Sequence, residues 1–359
     1  MTPDCSTPFG SDGDRRMTKD SLMPTIAVVG EVVADAVLPP DGIIDGVAHL
    51  TVHPGGGPAN TAVALSRLGT TARFAGRLSS GALGALCRAK LEQSNVDLSA
   101  SVTAVEPATL AIARLDAGGA ASYEFYTEGT ADWAWTDDSL APLVDGPFPD
   151  DSPPVAIHTG TLALALQPSG RVIENLLARA RKQLTVSIDP NLRTLLVPVE
   201  NYRAWIDRWA GLADILRLSE DDLVQLWPGS TPEEAAVHLH ACGVPLAIVS
   251  LGADGAFASL RGQTVRIPAL HTTLVDTVGA GDSFHGGLLH HLAAAGQLGG
   301  RLETLTLEGL TTALTFASRV AAITCSRAGA NPPWAVELDS PKGFSAPPTS
   351  ISGSASKEN

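Results

Sequence analysis

The sequence predicts an α/β protein with a parallel sheet at its core, and three observations support this prediction. Short apolar runs rich in valine and isoleucine recur along the chain, and longer stretches with helical periodicity separate them. Glycines and polar residues follow several of the runs. Such runs are typical of strands that are buried on both faces between helices. The 359 residues, 44% of them hydrophobic, can build a sizeable core as one large domain or two smaller ones.

Composition excludes some classes of partner. The formal net charge of −14 disfavours non-specific binding to nucleic acid or to anionic membranes. No run has the length of a transmembrane helix, and residues 1–23 lack the basic and apolar pattern of a secretion signal. The four cysteines form no C-x-x-C pair, which predicts neither a disulfide framework nor a zinc site. We therefore expect a cytoplasmic protein with no nucleic-acid or membrane partner.

Both ends of the chain differ in composition from the middle. Residues 1–23 and 338–359 are rich in small and polar residues and proline, which predicts disordered extensions around a fold at residues 24–337. The first strand is expected at residues 26–29. Glu31 and Asp35 follow it, where α/β sheets bind ligands. From position alone, solvated loop charges are the simpler interpretation of these two carboxylates.

A glycine-rich segment precedes the first predicted helix. Residues 55–57 are glycines, and Pro58 and Asn60 lead into a stretch of helical spacing that ends at Gly69. Proline suits a first helical turn, and glycine suits a helix end. The glycines let a ligand touch the main chain, and Asn60 offers both a donor and an acceptor. The segment therefore predicts a polyol site in preference to a plain flexible turn.

The pattern changes after the next strand and helix, which are expected at residues 72–76 and 81–94. Residues 109–115 and 122–126 alternate apolar and polar side chains around a glycine turn at 116–119, which predicts an antiparallel hairpin. Such a hairpin inside an α/β chain is typical of an appendage. We expect a small β-sheet lid built from segments at about 36–53 and 107–127.

Four further apolar runs predict strands of the parallel sheet, joined by right-handed crossovers. They are residues 155–160, 185–189, 214–218 and 246–250. Polar residues and glycines follow three of them, which predicts one functional edge of the sheet. These polar segments are residues 189–193, 219–222 and 250–255.

After a second predicted hairpin at residues 257–267, residues 276–282 form a glycine-punctuated loop that runs into an apolar stretch at 284–295. A loop that opens a helix directs unpaired N–H groups outward and binds phosphate. Asp282 lies among these donors, which indicates chemistry on a hydroxyl beside a phosphate. Neither the G-x-G-x-x-G fingerprint nor the P-loop pattern fits. By itself the loop is equally compatible with a helix start that has an acidic N-cap.

Four histidines invite a metal interpretation, which their spacing disfavours. His238 and His240 are two residues apart in a helical stretch, and His290 and His291 are adjacent. Each pair should point to different helix faces. We therefore expect surface or packed histidines.

Together the motifs resemble the ribokinase-like (PfkB) family of carbohydrate kinases. Residues 276–282, Asp-Thr-Val-Gly-Ala-Gly-Asp, match the family's D-T-x-G-A-G-D in every fixed position, and residues 55–60 resemble its N-terminal glycine motif. The resemblance covers roughly residues 25–333. It implies a ribokinase-like fold, in which helices flank a parallel-core sheet and a small β-sheet forms a lid.

The resemblance also implies roles for individual residues. Asp282 would be the catalytic base, and the amides of Gly279, Ala280 and Gly281 would form the anion hole for the transferring phosphoryl group. The residues implied to bind the substrate are Asp35, Gly56, Gly57, Asn60 and Arg193.

Nucleotide and ion sites are implied in the same way. Asp222 would hold Mg²⁺ through water, and Asp276 would belong to a monovalent cation site, usually for potassium. The family's N-x-x-E motif appears as residues 219–222, where Asp222 stands in place of glutamate. The residues implied to bind the nucleotide are Asn191, Ser219, Ser250, Gly252, Gly255 and Ser318.

The implied reaction transfers the γ-phosphate of ATP to a primary hydroxyl of a small monosaccharide, with Mg²⁺ and a monovalent cation such as K⁺. Residues 30–35 and 125–132 most resemble the fructokinase branch, so fructose is the expected sugar. A 2-keto-3-deoxygluconate kinase and a ribokinase are the alternatives within the family. A non-catalytic regulator that binds sugar or nucleotide is an alternative of another class. A homodimer formed through the lid is left open.

Overall fold

The structure is a computed structural model and describes residues 24–116, 121–148 and 152–338. The strands are β1 Thr25–Val29, β2 Val33–Leu38, β3 Ile43–Ile44, β4 Val47–Ala48, β5 Thr51–Gly55, β6 Thr71–Ala75, β7 Arg77–Ser79, β8 Val102–Ala104, β9 Thr109–Leu115, β10 Ala121–Tyr126, β11 Pro154–Gly160, β12 Thr185–Asp189, β13 Ile215–Ser219, β14 Leu246–Ser250, β15 Ala256–Leu260 and β16 Gln263–Ile267. The α-helices are α1 Gly57–Arg67, α2 Ala82–Gln93, α3 Asp137–Leu140, α4 Pro142–Asp145, α5 Thr161–Ala165, α6 Ser169–Ala180, α7 Val199–Leu212, α8 Glu220–Leu226, α9 Pro232–Ala241, α10 Ala280–Ala294, α11 Leu307–Cys325 and α12 Ala335–Leu338.

The central sheet has the strand order β16-β15-β14-β13-β12-β11-β1-β6 in the described part of the chain. Six neighbouring strands of this sheet pair in parallel, namely β6, β1, β11, β12, β13 and β14. β15 and β16 add an antiparallel edge. The predicted α/β class with a parallel-core sheet is therefore confirmed.

Each central strand is buried on both faces, and alternate residues enter different cores. In β1, Ala27 and Val29 belong to the cluster packed against α5 to α9, whereas Ile26 and Val28 belong to the cluster packed against α1, α10 and α11. Successive side chains of a strand point to opposite faces, so a continuous apolar run serves two helical layers. None of the described helices is long and apolar enough to cross a membrane.

A second sheet has the order β10-β9-β2-β5. β2 pairs in parallel with β9, and the two outer pairs are antiparallel. It contains the hairpin predicted from residues 109–126, although the turn at 117–120 lies outside the described residues. The predicted terminal extensions at 1–23 and 338–359 also lie outside them, except for Leu338, which ends α12.

The helix α10 begins earlier than its apolar stretch indicates. The apolar stretch begins at Phe284, whereas the helix starts at Ala280 with Gly279 as N-cap at φ 72°. The alternative of an acidic N-cap is therefore wrong, because Asp282 lies inside the first turn. The first turn faces a cavity, so its residues carry no apolar signal.

Candidate active site

A cavity of about 380 Å³ lies between the carboxyl ends of the central strands and the inner face of the second sheet. Val33 and Asp35 of β2 pair with Thr109 and Ala111 of β9, so all four side chains face the cavity together. A larger and more open groove near His240 lies at the opposite end of the strands. The helix-opening loop at Gly279 to Asp282 lines the smaller cavity only, which makes that cavity the candidate site.

Asp282 lies in the first turn of α10 and is 8% exposed. The Nδ2 group of Asn60 donates a hydrogen bond of 2.9 Å to its Oδ2 atom. Burial raises the pKa of Asp282 to about 6, although the bond from Asn60 and the charges of Arg217 and Arg193 oppose this rise. Such a carboxylate is mostly ionised at neutral pH and accepts a proton more readily than a solvated aspartate.

The backbone beside Asp282 presents N–H groups to the cavity. The Ala280 N–H donates to the Thr277 carbonyl at 3.2 Å, while the N–H groups of Gly279 and Gly281 find no acceptor in the described part of the chain. Both glycines line the cavity at the positive end of a 15-residue helix. This geometry suits an anion such as a phosphoryl group.

Glycines shape the other side of the cavity. Gly56 adopts φ 103°, and a Cβ atom there would lie 2.5 Å from the Glu31 carbonyl. A Cβ atom at Gly57 would lie 2.5 Å from Thr161 Oγ1 and 3.5 Å from Asp282 Oδ1. The space between Thr161 and Asp282 therefore exists only because residue 57 has no side chain. Asp35 lines this space as well, and burial raises its pKa to about 6.

Glu31 belongs to the site, although its position in the sequence indicated a solvated loop charge. It is 1% exposed and lines the cavity, and its Oε2 atom accepts the Ala163 N–H at 2.9 Å. Its Oε1 atom is buried with no partner among the described residues. Burial raises the pKa of Glu31 to about 8, so a protonated Oε1 can donate to a ligand hydroxyl at neutral pH.

We expect the variant Glu31→Gln to gain stability over wild type as the pH rises. The pKa of Glu31 is about 8 in the folded chain and 4.5 ordinarily. Between these pH values the folded chain therefore keeps a proton that the unfolded chain has released. The carboxyl thus lowers the free energy of unfolding progressively from pH 5 to 8, whereas the amide of the variant does not titrate. Urea unfolding of both proteins at pH 5, 6, 7 and 8 measures this difference. The exposed Glu92→Gln is the control, and a constant difference between wild type and Glu31→Gln would refute the assigned shift.

Asn191 and Arg193 follow β12 and line the cavity, as does Ser219 at the start of α8. The Arg193 Nη1 donates to Asn191 Oδ1 at 2.6 Å, and Asn191 has φ 40°. Asp222 does not line the cavity. Its Oδ2 accepts hydrogen bonds from the Ser219 N–H and Oγ, and its Oδ1 accepts one from the Leu192 N–H. Its role in holding Mg²⁺ through water stays a prediction. Asp221 lines the cavity instead.

Arg217 of β13 is a cavity residue that the sequence analysis did not select. It is 5% exposed and lines the cavity, and its Nη1 donates to Asp189 Oδ2 at 2.6 Å. Its Nη2 donates to Ser250 Oγ at 2.5 Å. A Cβ atom at Gly281 would lie 2.8 Å from both terminal nitrogens, so the guanidinium supports the loop that holds the free amides. A charged residue within an otherwise apolar run was the available signal.

The remaining predicted residues lie outside the cavity wall. The Ser250 hydroxyl accepts a hydrogen bond from Arg217. Gly252 and Gly255 lie in a tight turn in which the Leu251 N–H donates a hydrogen bond to the Gly255 carbonyl. Ser318 is buried in α11. Asp276 accepts the Val278 N–H and the Gly329 N–H, which ties the loop to the chain after α11. Their nucleotide and cation roles stay predictions.

Comparison with known proteins assigns the family. The model of the pfkB family carbohydrate kinases matches residues 23–336. The chain belongs to this family. It is therefore a sugar phosphotransferase, and the resemblance inferred from residues 55–60 and 276–282 is confirmed.

Several relatives within the PfkB family are named fructokinases. The fructokinase of Rhizobium leguminosarum bv. trifolii is 34% identical over 268 residues, which cover 74% of this chain and 79% of that protein. The fructokinase of Klebsiella pneumoniae is 34% identical over 269 residues, with 74% and 84% covered. The crystal structure of Xylella fastidiosa fructokinase with bound ATP superposes with a TM-score of 0.76 at 26% identity, over 86% of this chain and 94% of that one.

Proposed function

We propose that the protein is a cytoplasmic, ATP-dependent fructokinase that phosphorylates a primary hydroxyl of fructose. One observation carries this proposal: a buried carboxylate, Asp282, lies in the same helical turn as the Gly279 and Gly281 amides, which are unpaired among the described residues, at the edge of the cavity. The fructokinase names of the relatives support the choice of sugar.

The proposed mechanism uses Asp282 as general base. Asn60 holds the Oδ2 atom, which leaves Oδ1 free to accept the proton of the sugar hydroxyl. As this oxygen forms its bond to the γ-phosphorus, the bond from that phosphorus to the bridging oxygen breaks and ADP leaves. The Gly279 and Gly281 amides and the Arg217 guanidinium stabilise the negative charge on the transferring group.

The residues present fit a nucleotide and a metal ion. The unpaired amides at the N-terminus of α10 suit a phosphate, and Asp221 offers a carboxylate on the same cavity wall. Bound Mg²⁺ would neutralise phosphate charge, and Asp221 is the residue that we expect to hold it through water. A Vibrio cholerae O395 fructokinase structure, described as bound to fructose, ADP and potassium ion, superposes with a TM-score of 0.71 at 27% identity over 86% of this chain and 94% of that one. It supports the proposals of a nucleotide and of K⁺ near Asp276.

The charge of the cavity supports a neutral sugar over 2-keto-3-deoxygluconate. Besides the protonated Glu31, three acidic residues line the cavity, and of its two arginines Arg217 is paired with Asp189. Arg193 alone is then available to an acidic substrate. The acidic residues of the cavity wall are Glu31, Asp35, Asp221 and Asp282.

The test measures ADP release by the purified protein against fructose, ribose and 2-keto-3-deoxygluconate, with and without Mg²⁺ and K⁺. We expect the highest kcat/KM with fructose and no turnover without a divalent cation. A higher kcat/KM with another sugar would replace the substrate. Sugar or nucleotide binding without turnover on any sugar would favour the non-catalytic regulator.

We expect Gly57→Ala to raise the KM for fructose by tenfold or more, with a smaller effect on the KM for ATP. The new methyl group would lie 2.5 Å from Thr161 Oγ1 and would occupy the space between this residue and Asp282. Initial rates at varied fructose and at varied ATP separate the two constants. Gly69→Ala serves as a control for helix α1, since no atom lies near its Cβ position although its φ of 100° strains any side chain. An unchanged KM for fructose would show that the sugar does not use this space.

A further inference from the structure

A cluster of three potential metal ligands lies on the surface between α7 and α9. Asp207 belongs to α7, His238 to α9, and Cys242 caps the end of α9. Their ligand atoms all lie within 4.8 Å of one another, and within the described ranges no other group of three such side chains meets this condition. No step of phosphoryl transfer uses these residues.

The helix places two of the ligands on one face. His238 and Cys242 are four residues apart, so their side chains are neighbours on the surface of the helix. The Cys242 sulfur lies 3.9 Å from His238 Nε2, and Asp207 Oδ1 lies 2.7 Å from the same nitrogen. The His238 ring also packs against Trp227, with ring centroids 5.0 Å apart, which restricts its orientation.

His238 and His240 lie on different faces of α9, as their spacing predicts, so they do not bind one metal ion together. His240 lies on another face of α9, where its two ring nitrogens contact the Val244 carbonyl and Ser259 Oγ. The ligands that join His238 come instead from the next helical turn and from α7. Sequence spacing could not show this, because Asp207 is 31 residues away along the chain.

We propose that Asp207, His238 and Cys242 form a binding site for a zinc-class divalent ion. Cysteine sulfur, histidine nitrogen and aspartate oxygen are each ligand atoms that Zn²⁺ uses in proteins. Tetrahedral Zn²⁺ with bonds of about 2.0–2.3 Å needs ligand atoms about 3.3–3.5 Å apart, so small side-chain rotations suffice. Binding replaces the hydrogen bond between His238 and Asp207, and the thiol proton passes to the buffer.

The site is open to solvent and distant from the sugar cavity. The side chains of His238 and Asp207 are 43% and 61% exposed, so water can provide the fourth ligand. Cys242 and Asp207 precede the amino ends of β14 and β13, whereas the cavity lies at the carboxyl ends. A bound ion would link α7 to α9 and stabilise the fold without entering the reaction.

The test titrates the metal-free, reduced full-length protein with Zn²⁺ and with Co²⁺. We expect one ion per chain, a near-ultraviolet thiolate-to-cobalt absorption band, and protection of the Cys242 thiol from alkylation. The variants Cys242→Ser and His238→Gln should each weaken binding by tenfold or more. His240→Gln and Cys325→Ser are matched controls that should bind as wild type does.

Two results would overturn the proposal. One is the absence of stoichiometric binding to wild type, and the other is binding that survives both ligand substitutions. Neither result bears on kinase activity, which is measured with other residues and other ligands. The melting temperature of wild type should rise with added Zn²⁺, and that of Cys242→Ser should not.

Discussion

Asp282→Asn should lower kcat by about 10²–10⁴-fold, the usual contribution of a general base, and should leave the fold intact. Asparagine keeps an oxygen for the Asn60 hydrogen bond but cannot accept the proton of the sugar hydroxyl. Because burial raises the pKa of Asp282 to about 6, the wild-type rate should fall about tenfold per pH unit below pH 6. The residual rate of the variant should lack this decline.

Steady-state kinetics from pH 5 to 8, combined with thermal unfolding, measure both effects. The exposed Asp138→Asn is the matched control for the loss of one carboxylate. A variant at position 282 that keeps near-wild-type turnover would refute the role of this residue as base. An equal loss in the control would indicate a general effect of net charge.

Arg217→Met should lower both stability and turnover, through two separable effects. The first is structural: Asp189 is 4% exposed and would lose its partner at 2.6 Å, which costs about 3–5 kcal/mol in the free energy of unfolding. The second concerns the reaction. The guanidinium lies beneath Gly281, so its loss removes positive charge beside the transferring phosphoryl group and should lower kcat by about 10²-fold.

The double variant Asp189→Asn with Arg217→Met separates these effects. The neutral amide at position 189 removes the unpaired buried charge, so most of the lost stability should return while kcat stays low. Urea unfolding and kcat at saturating substrates provide the two readouts. A double variant that recovers wild-type kcat would limit Arg217 to a structural role. Arg217→Lys, which retains the charge, should lie between wild type and Arg217→Met.

Much of the fold could be predicted because the central strands are short, largely apolar runs that alternate with helical stretches. The cavity wall was harder to predict, because neighbouring residues at a strand end can face either way. Asp221 and Asp222 are neighbours in the sequence, yet Asp222 belongs to the capping box of α8 and Asp221 lines the cavity. The outcome depends on where α8 begins, and sequence patterns locate helix ends only to within a few residues.

Sequence alone also misjudged charges whose environment is formed by distant elements. Glu31 resembles a solvated loop charge until the Ala163 N–H, 132 residues later, is placed against it. Arg217 meets Asp189, Ser250 and Gly281, which come from three different segments. No local sequence pattern predicts such contacts between distant segments.

The sequence by itself determined the α/β class, the glycine-opened helix starts and the kinase family, and it predicted Asp282 as base, because these depend on local periodicity and short motifs. Only the tertiary structure decided which carboxylates face the cavity, why Asp282 and Glu31 have raised pKa values, and that Arg217 lies against the loop at Gly281. The pKa of a group in the site depends on its burial and on the charges around it. Both come from residues that are far apart in the chain and that only the fold brings together.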